Sequence, residues 1–239
     1  RWRLSCSCRW RCAGRNKGPF MAAINYESLN IRGFGGQTVP SLLLKQQQPA
    51  AHLALIFPGY NYNGGMPLLY YSGLQLLERG ADVLRVEYTY SSQPGFAALP
   101  DAEKDARIHA DAAAALDAAL GVRAYTRVTL VGKSIGTRAM GEIIADPRLA
   151  GARCVWLTPL LKSEGLFGQI EAAAQPGMFV MGSADPLYHP ARFANLSSRP
   201  ACSGLVIPGA DHSLEIPGDF WASFAALQRY LRALEEILS

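Results

Sequence analysis

The chain has 239 residues, 49% of them hydrophobic and 18% charged, which is enough to bury the core of one domain of ordinary size. No apolar run reaches the roughly 18 residues that a membrane span needs. The formal net charge of +4 comes from the first twenty residues, which hold five arginines, one lysine and no acid; the remainder is slightly acidic and makes no case for nucleic acid or a membrane surface as partner.

In chain order, "RWRLSCSCRWRCAGRNKGPF" (1–20) shows neither strand nor helix period and lacks the apolar stretch of a secretory signal. Met21 then opens an ordinary globular sequence, so translation is expected to start there; 1–20 is read as a disordered, non-native leader and 21–239 as a single domain. The leader holds Cys6, Cys8 and Cys12, a poor zinc pattern; Cys154 and Cys202 lie among apolar residues and are expected to be core thiols. Such cysteine usage suits a reducing compartment, and a cytoplasmic location is expected.

"INYESLNI" and "SLLLKQ" suggest an opening strand pair around a glycine-rich turn. "HLALIF" (52–57) reads as a buried strand stopped by Pro58-Gly59, and 66–80 as a helix stopped by Gly80. A strand at "ADVLRVEYTY" and a long helix over 100–120 follow, the helix carrying Ile108, Ala112, Ala115, Ala119 and Leu120 on one face. Then come strand "RVTLV", helix "TRAMGEIIA", strand "CVWLTPL", a helix at 164–174, strand "MFVMG", a short helix near 188–196, strand "SGLVIPG" and a closing helix. Phe220, Phe224, Leu227, Leu231, Leu234 and Leu238 recur there at helical spacing, a stripe expected to pack on the core. The alternation predicts an α/β fold: a mostly parallel sheet of about eight strands with helices on both faces and its site at the carboxyl ends of the strands.

"GKSIG" (132–136) stands where a strand hands over to a helix. Flanking glycines let the backbone turn sharply there, lifting the Ser134 hydroxyl above the sheet edge, in the pattern G-x-S-x-G. A phosphate-binding loop would need an earlier glycine, and position 127 is Arg. A serine hydroxyl needs a base. Of the four histidines, His52 opens a strand at the far edge, His109 lies inside the long helix and His189 joins a short helix. His212, in "GADHSLE", follows a strand at the expected edge, and Asp185, in "GSADPLY", follows the strand before it. Asp211 competes for the acid's place, but adjoining side chains in a loop tend to diverge.

The pieces "GKSIG", "GSADPLY" and "PGADHSLE", in that order and each after a strand, resemble the α/β-hydrolase superfamily over residues 22–239. The resemblance implies Ser134 as nucleophile, His212 as base and Asp185 as its orienting acid. It implies an oxyanion hole from the backbone N–H groups of Ile135 and of Tyr60, the latter in "FPGYNYN". It implies no metal or organic cofactor. Lys133 departs from the family's usual elbow residue and is expected to pack at the surface without a chemical role. Residues 162–177 have room for one helix and no cap domain, so the site is expected to be open, as in small esterases and dienelactone-hydrolase-like members. Tyr62, Tyr88, Tyr90, Leu160 and Leu187, with Tyr60, fall in strand-end loops and either line an acyl pocket or cap the core. Should a lid exist, the loop 91–100 with Phe96 and Leu99 is the candidate. The expected activity is serine-dependent cleavage of a small-molecule ester or thioester; acyl transfer, or ligand binding without chemistry, is the alternative on the same fold.

Overall fold

The computed structural model describes residues 24–88 and 90–239. The expected leader and the start at Met21 lie outside those residues. The centre of the molecule is β3 (His52–Phe57), buried at all six positions. Leu53, Leu55 and Phe57 face one hydrophobic layer, Ala54 and Ile56 the other. Such two-sided burial explains a continuous apolar run in place of alternation.

Eight strands form one sheet in the order β1-β2-β4-β3-β5-β6-β7-β8. β1 (Ile24–Glu27), β2 (Ser41–Gln46) and β4 (Ala81–Val86) pair antiparallel in that order. From β4 onward every pairing is parallel, through β3, β5 (Arg127–Lys133), β6 (Arg153–Leu157), β7 (Gly177–Gly182) and β8 (Cys202–Ile207). The strand "ADVLRVEYTY" is thus shorter than its apolar pattern suggests, ending at Val86.

Helices α2 (Asp101–Leu120), α3 (Ile135–Ile143), α4 (Glu164–Ala172) and α5 (Pro190–Ser197) cover one face through residues such as Ile108, Leu116, Met140, Leu166 and Phe193. α1 (Pro67–Glu78) and α6 (Phe220–Ile237) cover the other. The buried hydroxyls of Ser72 and Tyr230 are hydrogen-bonded where α1 crosses α6. The expected stripe of α6 is corrected at its start. Leu234 is buried and Leu227, Leu231 and Leu238 pack half-buried on the core, beside Ala226 and Tyr230, whereas Phe220 and Phe224 are 72% and 54% exposed. α6 reaches the sheet only beyond its first turns, so period alone could not tell a covered aromatic from an open one. Cys154 is buried and Cys202 half-buried, both as free thiols. Among the described residues no helix is long and apolar enough to cross a membrane.

Two features place a site. The connection leaving β3 runs through α1 to β4 on one side, and the connection leaving neighbouring β5 runs through α3 to β6 on the other; that divergence opens a crevice. Between the end of β6 at Leu157 and the start of β7 at Gly177 the one helix is α4, nine residues long, so no cap domain covers the crevice there. The loop 91–100 is pinned to the core: Phe96 is buried and stacks on Tyr90 at 4.4 Å.

Candidate active site

At the crevice, β5 ends on Lys133 and α3 begins on Ile135, leaving Ser134 to make the whole turn. It does so at φ 54° and ψ −117°, a conformation few non-glycine residues hold. The turn is clamped by backbone bonds: Ser134 N donates to Leu157 O (3.0 Å), and Thr137 N and Oγ1 both donate to Ser134 O. Gly136 makes it possible, because a Cβ there would stand 2.3 Å from the carbonyl oxygen of Phe57. A side chain at that position would wedge α3 away from β3.

The hydroxyl raised by this turn meets a hydrogen-bonded chain. Ser134 Oγ lies 2.9 Å from His212 Nε2, and His212 Nδ1 lies 2.7 Å from Asp185 Oδ2. The Asp185 side chain is wholly buried, and its other oxygen accepts from Leu187 N at 2.8 Å. A carboxylate beside Nδ1 keeps the imidazole proton on that nitrogen and leaves Nε2 free to accept from the serine. Asp211 turns elsewhere: its Oδ1 accepts from Ser213 N (2.7 Å) and Glu215 N (3.1 Å) and caps its own loop. Gly182, at the end of β7, lets that loop come close, since a Cβ would fall 2.1 Å from Ala210 O. The other histidines stand apart. His52 is buried against Thr129 and pushed down to about 4 by burial, with Arg127 and Arg153 adding to it. His109 bonds Glu142 O, and His189 caps α5.

The residues expected to hold an oxyanion flank the serine. Ile135 is the first residue of α3. Tyr60 follows Gly59, whose built Cβ would stand 3.6 Å from Ser134 Cβ. The expected pocket residues divide. Tyr60, Leu160 and Leu187 are half-buried at the strand ends. Tyr88 and Tyr90 are buried, their rings stacked at 4.3 Å, with Tyr88 Oη reaching Pro58 O and Tyr90 Oη donating to Asp111. They support the loop after β3 from beneath. Tyr62 is buried too, its hydroxyl accepting from Leu68 N at 3.0 Å. Its other side borders a groove of about 530 Å³ shared with Leu68, Leu214, Ile216 and Phe224, whose walls do not include Ser134 or His212.

The surface role expected for Lys133 is corrected. The residue is 1% exposed, and Nζ donates to His212 O at 2.9 Å and to Thr158 Oγ1 at 3.2 Å. It also lies 4.7 Å from the centre of the Tyr62 ring. Burial pushes its ammonium down to about 8, with Asp185 and Asp211 pulling the other way. A lysine beside a glycine at a strand end reads as solvated. Only the convergence of four strand ends shows that it is enclosed.

The comparisons agree with this architecture. The family model described as "Alpha/beta hydrolase domain" matches residues 66–227, a span that includes α1, the Ser134 turn, Asp185 and His212. The chain belongs to the alpha/beta hydrolase domain family. Among solved structures, this family member is similar to an esterase of Pyrococcus furiosus (TM-score 0.64, 12% identity, 88% of this chain and 93% of that chain covered). It is similar to a cold-adapted esterase from an Arctic intertidal metagenomic library (TM-score 0.63, 20% identity, 97% and 100% covered). It is also similar to a serine hydrolase without lid from Xanthomonas campestris (TM-score 0.63, 15% identity, 91% and 94% covered). At such identities the likeness is one of fold. No curated protein matches the chain.

Proposed function

We propose that this alpha/beta hydrolase cleaves carboxylic esters or thioesters of small molecules through an acyl-enzyme on Ser134. The observation that carries the reading is the hydrogen-bonded chain from Ser134 Oγ through His212 to buried Asp185, at 2.9 and 2.7 Å. In the first half-reaction Oγ attacks the acyl carbonyl carbon while His212 Nε2 takes its proton. The backbone N–H groups of Ile135 and Tyr60 stabilise the tetrahedral oxyanion. The C–O or C–S bond then breaks, and the imidazolium returns its proton to the leaving alkoxide or thiolate. Water repeats the sequence: His212 takes its proton, the hydroxide adds to the acyl carbon, and Ser134 leaves with the proton restored. Asp185 holds the imidazole orientation and stabilises its charged form throughout.

The cap-free β6–β7 connection supports small, freely soluble substrates, with short to medium acyl chains set against Tyr60, Leu160 and Leu187. The esterases among the structural neighbours lend the ester class its support. The test is a chain-length panel of esters and thioesters, with Ser134→Ala as control and with and without an added alcohol or amine. Hydrolysis that depends on Ser134 and ignores the acceptor upholds the proposal; product formed only with an acceptor makes the protein a transferase, and ligand retained without turnover makes it a binder.

A further inference from the structure

We propose that Lys133 is a positioning residue, whose ammonium ties the loop carrying His212 to the end of β5 and so holds the imidazole against Ser134. The inference rests on the hydrolase reading and adds a part to it.

A lysine almost never goes fully inside a protein without partners for its charge. Lys133 is 1% exposed, and its three donors are accounted for: His212 O at 2.9 Å, Thr158 Oγ1 at 3.2 Å, and the face of the Tyr62 ring at 4.7 Å. Each partner comes from a different strand end: Tyr62 after β3, Thr158 after β6, His212 after β8. The contact with His212 is to its backbone carbonyl, so the lysine fixes the loop and leaves both ring nitrogens to Ser134 and Asp185.

Thr158 is a second, independent sign. A β-branched residue strongly resists positive φ, yet Thr158 holds φ 43°. Its N donates to Val180 O at 2.8 Å, which locks that backbone to β7 while Oγ1 accepts from Lys133. Backbone strain of this kind persists where surrounding contacts over-determine it. The ionisable groups facing Lys133 are Asp185 after β7, Asp211 and His212 after β8, and Tyr62 after β3. The acids favour the ammonium and burial opposes it, burial prevailing, so the group titrates near 8. Above that pH the tether becomes a neutral amine, and its charge-assisted bond to His212 O weakens by roughly half.

The experiment follows the rate at which a fluorophosphonate probe labels Ser134, from pH 6.5 to 9.5, in wild type, Lys133→Met and Lys133→Gln, with unfolding temperature recorded alongside. Met fills the space of the stem without the charge; Gln keeps a neutral donor. Lys133→Met is expected to label about 10–100-fold more slowly at pH 7.5, the scale of a misplaced catalytic group, with the probe's half-saturation concentration unchanged. The wild-type rate is expected to fall about fivefold across pH 8, the worth of the lost charge assistance. That fall is absent in both variants, and Lys133→Gln labels faster than Lys133→Met. A Lys133→Met protein that labels at the wild-type rate with the wild-type pH profile overturns the proposal. Should Lys133→Met not fold, Lys133→Gln decides: labelling at the wild-type rate in that variant overturns it. Absence of any labelling in wild type, with Ser134→Ala as blank, removes the hydrolase reading and this proposal together; labelling that ignores Lys133 removes the proposal alone.

Discussion

Gly182→Ala tests how the His212 loop is held. The added methyl would stand 2.1 Å from Ala210 O and 2.6 Å from Asp211 O. Both are backbone atoms, so no rotamer change relieves the clash. Ordinary contact begins near 3.4 Å, so the loop must retreat by about 1.3 Å. His212 lies two residues beyond Ala210, and the Ala184 N to Ala210 O bond of 2.9 Å ties the same carbonyl to the turn carrying Asp185. A displacement of about 1 Å at a catalytic group costs on the order of 10²-fold in rate. Overpacking of this kind costs about 1–3 kcal/mol of stability, or a few degrees of unfolding temperature per kcal/mol for a chain of this size. The assay is kcat and KM on the best ester, with thermal unfolding beside it. Gly168→Ala in α4 is the control, because nothing lies within 4 Å of a Cβ there. Wild-type kcat and wild-type unfolding temperature in Gly182→Ala would refute the reasoning from close approach.

Asp185→Asn is expected to cost about 10⁴ in kcat through the wrong His212 tautomer, and Asp211→Asn far less, since Asp211 only caps its loop; steady-state kinetics of the pair would show a reversed order if the assignment were wrong. Gly136→Ala is expected to lower the unfolding temperature as well as activity, because its Cβ would meet Phe57 O at 2.3 Å; calorimetry checks it. With no cap over the crevice, activity is expected to rise smoothly with ester concentration, without a jump at the solubility limit, and kcat/KM is expected to climb by up to about 0.8 kcal/mol of binding per added CH₂ before falling; a series of p-nitrophenyl esters reads both.

The strands and their parallel character were legible because two-sided burial writes apolar runs such as "HLALIF" and "MFVMG" between helix-length stretches, whereas their order in the sheet was not. Ser134, Asp185 and His212 were legible by position, each following a strand at the same edge, and the structure places His212 within hydrogen-bond reach of both Ser134 and Asp185. Lys133 and Thr158 were not, because their roles depend on four strand ends meeting in space, and no spacing in the chain encodes that. Gly182 looked like the end of a strand; its purpose appears only against Ala210, which lies on another loop. Tyr88 and Tyr90 show a related limit. Aromatic residues at strand ends are equally suited to a pocket wall and to a core cap, and the neighbouring ring of Phe96 decided for the cap. In α6 the helical period was visible, but not where along the helix the sheet begins to cover it.

The central claim is that Ser134 is the nucleophile, and the direct measurement is the turnover of Ser134→Ala on the ester and thioester panel. The account predicts a loss of roughly 10⁴–10⁶ in kcat with an unchanged unfolding temperature, since a hydroxyl at a tight turn contributes little burial. Full activity in that variant would contradict it.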